Sequence, residues 1–168
     1  PVIAISGAVG KTTTKELTAA ALRAAYGETL STVGNLNNLI GAPFTLLSLT
    51  DAHQAAVIEC GSNAPGEIAR IAALVRPDVA LVTNADAAHT ELLGSIEAVA
   101  REEGSLFAFA RLAVVGNADE PRSASQMSRA LADRARWLFG ASPAAHVALA
   151  SRTLRPDGGA SLTFTVDP

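Results

Sequence analysis

Short apolar runs alternate with helical patterns along the first two thirds of the chain. The runs are typical of strands buried on both faces of a sheet, and they lie at residues 2–6, 55–59, 79–83 and 112–115. Between them, apolar residues spaced to share one helix face predict helices at residues 12–26, 43–49, 65–75 and 95–110. This alternation predicts an α/β fold, with a mostly parallel sheet flanked by helices.

The last third of the chain has a different pattern. It predicts a helix at residues 123–135, followed by strands at residues 136–139, 145–154 and 160–166. The sequence Asp157-Gly158-Gly159 between the last two strands is a hairpin signal. We therefore expect one domain, with an α/β core over residues 1–121 and an extension of helix and strands over residues 122–168.

The composition excludes several classes of protein. Hydrophobic residues make up 49% of the 168 residues and charged residues 17%, which excludes a disordered chain. The formal net charge of −3 argues against nucleic-acid binding through bulk charge. The single cysteine, Cys60, excludes an intramolecular disulfide and a thiolate zinc site. No apolar run reaches the length of a membrane span, about 20 residues, and no leader-like segment precedes the first strand, so we expect a cytoplasmic protein.

The start of the chain bears on its organisation. The first apolar strand follows directly on Pro1, with no preceding methionine. A natural N-terminus seldom opens on a core strand, and we therefore expect the chain to be a piece of a longer protein.

The strongest local signal is the segment GAVGKTT at residues 7–13, which follows a predicted strand and opens a predicted helix. Its glycines let backbone N–H groups close around phosphate oxygens, and a helix N-terminus attracts anions. In such a loop Lys11 would reach the β- and γ-phosphates, and the Thr12 hydroxyl would bind Mg²⁺. Ile5 stands where the common spacing has its first glycine, so the alternative is a tight turn with an exposed lysine. The run Gly-Lys-Thr-Thr favours nucleotide binding.

Acidic and imidazole side chains lie where the predicted strands end. Glu59 ends the second strand, His89 follows the third, and Glu102 and Glu103 lie on the helix after it. Ligand sites of parallel α/β sheets lie beyond the carboxyl ends of the strands, and Mg²⁺ prefers oxygen ligands together with substrate phosphates. Each residue also has a simpler interpretation: a solvated strand end for Glu59, a structural histidine for His89, and a solvated helix face for Glu102 and Glu103.

Together these motifs resemble the central ATP-binding domain of the Mur ligases, and within that family the ligase that adds D-alanyl-D-alanine. The resemblance covers residues 2–121 well and the last third of the chain loosely. Its most specific element is the run Gly-Asn-x-Asn-Asn-x-x-Gly-x-Pro that begins at Gly34. The other matching stretches are GAVGKTTTKEL, VIECGSNAPGEI, PDVALVTNADAAHTELLGS, EAVAREEGSL and VGNADEP.

The resemblance implies an enzyme, an ATP-dependent carboxylate–amine ligase of peptidoglycan precursor synthesis. The carboxylate of a UDP-MurNAc-tripeptide would be phosphorylated to an acyl phosphate, which the amine of D-Ala-D-Ala would attack. It also implies two further domains that this chain lacks, an N-terminal domain for the uridine nucleotide and a C-terminal domain. The chain alone would then not complete ligation. We expect the protein to be a monomer.

The resemblance also implies a role for each matched residue. The residues implied to contact ATP are Gly7, Gly10, Lys11, Thr12, Thr13 and Asn84. Those implied to line the side of the nucleotide-sugar peptide are Asn35, Asn37 and Asn38. Thr12 and Glu59 would bind one Mg²⁺, and His89 would help to bind a second. Lys11, Glu59, His89 and Glu103 are therefore the candidate catalytic residues.

Two positions depart from the family pattern. Ala8 and Val9 stand between the loop glycines, where the family often has Ser or Thr followed by Asn. Glu103 stands where the family usually has a lysine that is carbamylated to make a carboxylate for the second Mg²⁺. We hypothesise that Glu103 supplies this carboxylate directly, with Glu102 as a fallback that points about 100° away on the helix. The alternative is that the position is lost and the second Mg²⁺ binds weakly.

Three other functions are compatible with the residues. The first is another amide ligase of the same superfamily, such as a folylpolyglutamate-type enzyme, and the Asn-rich run argues against it. The second is a non-catalytic nucleotide-binding module, in which the two departures mark decayed chemistry. The third is a phosphate-loop hydrolase. Such an enzyme is expected to have an apolar run that ends in Asp, and the absence of a clear run of this kind argues against it.

Overall fold

The computed structural model describes residues 1–86 and 93–166. In this part of the chain the strands are β1 (Val2–Ser6), β2 (Thr29–Ser31), β3 (Ala55–Glu59), β4 (Val79–Val82), β5 (Ala113–Asn117), β6 (Ala135–Gly140), β7 (Val147–Leu154) and β8 (Ala160–Val166). They form an eight-stranded sheet in the order β2-β3-β1-β4-β5-β6-β7-β8. Neighbouring strands are parallel except β7 and β8, which are antiparallel. The predicted α/β fold with a mostly parallel sheet is confirmed.

The helices lie between the strands, as the alternating pattern predicted. They are α1 (Lys11–Tyr26), α2 (Gly41–Leu47), α3 (Glu67–Val75), α4 (Ile96–Glu103) and α5 (Pro121–Ser125), with 3₁₀ helices at Gly104–Phe109 and Gln126–Arg129. Two of their caps explain where they begin. Ser95 accepts a hydrogen bond from the Ala98 N–H before α4, and Glu120 accepts one from the Ser123 N–H before α5. None of the helices in the described residues is long and apolar enough to span a membrane.

The predicted helix at residues 123–135 is wrong. Helix α5 ends at Ser125 and passes into the short 3₁₀ helix, and β6 already begins at Ala135. Two serine hydroxyls donate to nearby carbonyls there, from Ser125 to Arg122 at 2.7 Å and from Ser128 to Ser125 at 2.9 Å. Such local bonds compete with regular helix, which explains the early end despite a helical apolar pattern.

The predicted helix at residues 95–110 is correct only in its first half. It passes from α into 3₁₀ geometry at Gly104. A Cβ atom at Gly104 would lie 2.3 Å from Cβ of Gln126, so the second 3₁₀ helix packs directly on the backbone here. The strand β2 was not predicted, because three residues are too few to show a periodic pattern.

The two faces of the sheet are covered by different helices. Ile5 and Val57 pack with Ala19 of α1 on one face. Ala4 and Ile58 lie in the larger cluster on the other face, together with Ile68 of α3 and other buried side chains. Adjacent strand residues point to opposite faces, which explains why β1 and β3 are almost continuously apolar.

The topology brings the candidate site residues to one edge of the sheet. Strand β1 lies between β3 and β4, and all three run in the same direction. Ser6 and Glu59 end β1 and β3, Thr83 follows β4 directly, and four residues separate the end of β1 from the start of α1 at residue 11. The edge where the sequence places its motifs is thus a single location in the fold.

Candidate active site

The phosphate loop makes a tight turn onto the end of β4. Gly7 has φ +128° and Gly10 has φ +87°, both in the region that favours glycine. A Cβ atom at Gly7 would lie 2.1 Å from Oγ1 of Thr83, whereas one at Gly10 would meet no atom within 4 Å. Gly7 is therefore required by packing, and Gly10 only by backbone conformation.

Asn84 holds the phosphate loop in shape by hydrogen bonds to the backbone of the loop. The Asn84 amide accepts a hydrogen bond from the Val9 N–H at 3.0 Å and donates one to the Val9 carbonyl at 3.0 Å. The Thr83 hydroxyl donates to the same carbonyl at 2.7 Å, and the Ala8 N–H donates to the Asn84 carbonyl at 3.0 Å. Because these bonds use backbone atoms of the loop, they do not depend on the side chains of Ala8 and Val9. The contact of Asn84 with nucleotide stays a prediction.

The N-terminus of α1 faces a cavity and has the features of an anion site. Helix α1 has 16 residues, and its N-cap residue Gly10 provides no side-chain cap for the first-turn N–H groups. These groups border a cavity of about 380 Å³, lined by residues 8–13 together with Asn37 and Glu59. The Lys11 ammonium lies over the loop and donates to the Gly7 carbonyl at 2.5 Å. Uncapped N–H groups and an ammonium at one cavity suit a phosphate chain.

Glu59 and Thr12 meet at this cavity. The Thr12 hydroxyl donates to Oε2 of Glu59 at 3.0 Å, and the Asn37 amide donates to Oε1 at 2.7 Å. Glu59 is buried, so the interpretation of a solvated strand end is wrong. In the described residues no three His, Cys, Asp or Glu side chains converge on one point. A hydroxyl and a carboxylate oxygen beside a phosphate cradle nevertheless fit Mg²⁺, which takes its remaining ligands from phosphates and water.

Glu103 lies against the first turn of the loop. Its Oε2 accepts hydrogen bonds from the Ser6 hydroxyl and, at 2.9 Å, from the Gly7 N–H. Burial raises the pKa of Glu103 above its ordinary value, although the Ser6 bond, the Lys11 charge and the Gly7 N–H oppose the shift. Glu103 does not line the cavity at Lys11. The carboxylate supports the loop that the cavity depends on.

Glu102 serves a different element. Its two oxygens accept hydrogen bonds from the N–H groups of Gly66 at 2.7 Å and Ile68 at 2.9 Å, at the N-terminus of α3. Both Glu102 and Glu103 are buried, so the prediction of a solvated helix face is wrong for both. The structure gives no support to Glu102 as the fallback metal ligand, since both of its carboxylate oxygens accept hydrogen bonds at the N-terminus of α3.

The Asn-rich run lines a second, polar cavity of about 240 Å³ that shares Lys11 and Asn37 with the first. Asn35, Asn37 and Asn38 all border it. Asn37 is fixed by Glu59 and by the Gly61 N–H, which donates to its carbonyl at 2.8 Å. Asn38 accepts from the Gly41 N–H at 2.9 Å and so caps α2. Of the three predicted substrate residues, Asn35 is the one whose side chain neither bonds Glu59 nor caps α2.

Some predicted residues lie elsewhere, and some important ones were missed. His89 lies outside the described residues. Cys60 is fully buried beside Glu59, and burial raises the pKa of its thiol far above the ordinary value. The sequence pattern did not identify Lys15 or Thr32 as site residues. Both are buried next to β3, and the apolar pattern of α1 gave no signal for Lys15, which lies on the buried face with Ala19.

Curated relatives are similar in sequence over about two thirds of the chain. UDP-N-acetylmuramoyl-tripeptide--D-alanyl-D-alanine ligase of Escherichia coli (strain K12) is 53% identical over 106 residues, which are 63% of this chain and 23% of the relative. The same enzyme of Haemophilus influenzae is 46% identical over 108 residues. The chain spans about a quarter of the length of these relatives.

Solved structures share the fold over nearly the whole chain. MurF from Acinetobacter baumannii superposes with a TM-score of 0.89 at 30% identity, covering 98% of this chain and 36% of that one. MurF ligase from Thermotoga maritima, solved in complex with ADP, has a TM-score of 0.84 at 25% identity and covers 98% and 38%.

The family model described as "Mur ligase middle domain" matches residues 5–167. This range contains the phosphate loop, Glu59, the Asn-rich run and the C-terminal hairpin. The resemblance inferred from the motifs is thereby confirmed, and it extends over the last third of the chain, where the motifs matched only loosely. The chain belongs to the Mur ligase family and corresponds to its middle domain.

Proposed function

We propose that this chain is the ATP-binding domain of a ligase that adds D-Ala-D-Ala to a UDP-MurNAc-tripeptide. The observation that supports this most directly is the pair of adjoining cavities, one at the uncapped N-terminus of α1 and one along the Asn-rich run. They share Lys11 and Asn37, so a phosphate donor and a carboxylate acceptor would meet at Lys11. The names of the relatives and the structure with bound ADP agree with this assignment.

The reaction transfers a phosphoryl group and then an acyl group. A carboxylate oxygen of the tripeptide attacks the γ-phosphorus of ATP, and ADP leaves. The amine of D-Ala-D-Ala then attacks the acyl carbon, the bond from that carbon to the phosphate oxygen breaks, and the amine loses one proton. The first attack brings two anionic groups together, and the second forms an anionic tetrahedral intermediate, so catalysis depends on positive charge placed at the reacting atoms.

The loop supplies much of that charge. The N–H groups of residues 11–13 point from the α1 N-terminus, and the Lys11 ammonium moves from the Gly7 carbonyl to the β- and γ-phosphates when ATP binds. Gly7 and Gly10 give the loop its curvature, and Thr13 belongs to the first turn of α1. Asn84 holds the loop in this shape through its bonds to Val9.

Thr12 and Glu59 are the residues that would bind Mg²⁺. The bound cation would offset the charge of the phosphates as they approach the carboxylate. The Asn37 amide orients the Glu59 carboxylate toward the Thr12 hydroxyl in advance. His89 is proposed to help bind a second Mg²⁺.

Glu103 is proposed to supply the carboxylate that most family members obtain from a carbamylated lysine. It stands at the matching position, and its Oε2 accepts a hydrogen bond from the Gly7 N–H of the phosphate loop. Because Glu103 does not line the cavity, its shorter side chain would act on the cation through a bridging water. A glutamate needs no CO₂ to become a carboxylate. The ligase reaction of this protein would then be independent of dissolved CO₂.

We also propose the surroundings of the domain. The relatives are about three to four times longer than their matched part, so this domain would work with an N-terminal domain for the uridine nucleotide and a C-terminal domain. The substrates would be small molecules, and the protein would act as a monomer in the cytoplasm. Light scattering of the full-length protein tests the monomer.

The experiment is a ligation assay on the full-length protein with ATP, Mg²⁺, UDP-MurNAc-tripeptide and D-Ala-D-Ala. We expect one phosphate released for each pentapeptide product, measured by mass spectrometry, and no turnover when either acceptor is left out. Lys11→Ala should lower the rate by about 10²–10³-fold. The exposed Arg23→Ala on the same helix is the control and should be neutral. ATP turnover without acceptors would instead indicate a hydrolase.

A further inference from the structure

We propose that Lys15 is a positioning residue of the phosphate site. Its ammonium fixes Thr32, and through Thr32 it fixes the strand end that carries Glu59. Lys15 is the largest fully buried side chain of the described residues, with 1% of its surface exposed. Its Nζ donates to the Thr32 carbonyl at 2.7 Å and pairs with Glu16 at 2.6 Å.

The burial of this charge calls for a reason. Removing an ammonium from water costs several kcal/mol, and an apolar side chain of similar volume at such a position is often neutral or stabilising. The partner Glu16 is 59% exposed, and ion pairs with exposed partners contribute little. Lys11 one turn earlier carries the same charge, which is unfavourable along a helix face. Packing of α1 alone would therefore favour an apolar residue over Lys15.

The contact of Lys15 leads directly to the metal-binding candidates. Thr32 is the residue after β2 and lies two residues before the Asn-rich run begins at Gly34. Its N–H donates to the Val57 carbonyl at 3.1 Å, and its hydroxyl accepts from the Glu59 N–H at 2.9 Å. Lys15 bonds the one remaining backbone group of Thr32. The carbonyl, the N–H and the hydroxyl of this residue are thus all engaged.

The same connection reaches the Glu59 side chain. Five residues after Thr32, the Asn37 amide donates to Oε1 of Glu59, whose Oε2 accepts from Thr12. Thr32 therefore anchors the segment that orients the carboxylate, as well as the backbone from which that carboxylate projects. Groups that orient a metal ligand without touching the metal typically contribute 10–100-fold to metal affinity. Lys15 belongs to this class of positioning groups, which influence metal binding without contacting ATP.

The test measures the Mg²⁺ enhancement, which is the ratio of ATP affinities with and without Mg²⁺. It is determined by calorimetry of this chain and of the full-length protein. Lys15→Met keeps the volume and removes the ammonium. We expect it to lower the Mg²⁺ enhancement about tenfold and to leave Mg²⁺-free ATP affinity within about twofold. A purely structural role would lower both affinities together, and that result would overturn the inference.

Thr32 provides a second pair of variants if Lys15→Met fails to fold. Thr32→Val removes the hydroxyl that accepts from Glu59 and should reproduce the loss, whereas Thr32→Ser keeps the hydroxyl and should restore most of the enhancement. Full enhancement in Thr32→Val would break the proposed link. Glu16→Gln removes the exposed partner of Lys15 and should have no effect. If Glu16→Gln instead matched Lys15→Met, the ion pair and not the Thr32 contact would be responsible.

The inference rests on the proposed phosphate site, and the wild-type protein separates the two. If wild type shows no Mg²⁺-enhanced ATP binding, the proposed site fails and the role of Lys15 fails with it. If wild type shows the enhancement and Lys15→Met keeps all of it, only the role of Lys15 is wrong.

Discussion

The Thr12 hydroxyl donates a 3.0 Å hydrogen bond to the Glu59 carboxylate, 47 residues away in the chain. This bond joins the first turn of α1 to the end of β3, and both residues line the phosphate cavity. The fold itself thus holds the two oxygens within hydrogen-bond distance of each other. Preformed ligands of this kind reduce the cost of ordering side chains when Mg²⁺ and ATP bind.

Glu59→Gln tests the metal role of this pair. The amide keeps the size of the side chain and removes its charge, so we expect ATP affinity in Mg²⁺ to fall by about tenfold or more, with little change without Mg²⁺. Calorimetric titration of ATP measures the affinity with Mg²⁺ and the affinity without it. Glu28→Gln, at an exposed position beyond α1, is the matched control. Equal affinities of the Glu59→Gln variant and this control would show that Glu59 does not bind the cation.

CO₂ depletion tests the role of Glu103. We expect ligation by the full-length wild type to be unchanged in CO₂-free buffer, because a glutamate carboxylate needs no carbamylation. Glu103→Lys restores the residue usual in the family, and its activity should fall on depletion and return when bicarbonate is added. A loss of wild-type activity on depletion would rule out Glu103 as the replacement carboxylate.

The two loop glycines should differ in their tolerance of a methyl group. Gly7→Ala would place Cβ 2.1 Å from Thr83 Oγ1, so the loop or β4 must shift. A Cβ atom at Gly10 would meet no atom within 4 Å. Gly10→Ala therefore costs only the free energy of holding alanine at a positive φ, about 1 kcal/mol. We expect a clearly larger fall in unfolding free energy for Gly7→Ala, measured by urea denaturation. Equal losses for the two variants would contradict the packing of Gly7 on Thr83.

Asp78 should make stability depend on pH. Burial would raise the pKa of Asp78, but the Arg111 guanidinium and the Val2 N–H outweigh it and hold the pKa below its ordinary value. A carboxylate with a lowered pKa in the folded state stabilises above about pH 4, and this stabilisation is lost as the pH falls through the folded-state pKa. Asp78→Asn should cost about 1–3 kcal/mol at pH 7, and the cost should become smaller as the pH falls from about 4 to 3 and below.

Urea denaturation at the two pH values measures this effect. Asp133→Asn is the control, since Asp133 is 72% exposed and pairs only with the adjacent Arg134 among the ion pairs of the described residues. Its unfolding free energy should stay close to that of wild type at pH 7. If Asp78→Asn costs as much at pH 3 as at pH 7, the carboxylate charge is not the source of the stabilisation.

Periodicity predicted the elements that are long and buried. Strands β1 and β3 show their pattern clearly, because both sheet faces are apolar. Helix α1 was predicted with nearly correct bounds but on the wrong face, since Leu17 is 69% exposed and the buried face carries Lys15 and Ala19. The three-residue β2 has no such pattern. The segment after Pro121 misled the prediction, since its apolar spacing is helical while the hydroxyls of Ser125 and Ser128 bond local carbonyls instead.

The candidate site was predictable where it follows a local motif. The loop, Thr12 and Glu59 lie at strand ends that any parallel sheet brings together. The partners of those residues come from distant parts of the chain and leave no local trace. Asn84 bonds the backbone of Val9, and Lys15 bonds the carbonyl of Thr32, so neither contact depends on the identity of the residue it meets.

The most direct test of the central claim is calorimetric titration of ATP, with and without Mg²⁺, into wild type, Lys11→Ala and Arg23→Ala. It is made on this chain and on the full-length protein. We predict binding that Mg²⁺ strengthens in wild type and Arg23→Ala and that is lost in Lys11→Ala. Equal ATP affinity in Lys11→Ala and wild type, or no binding to the full-length protein at millimolar ATP, would contradict a functional phosphate site at the N-terminus of α1.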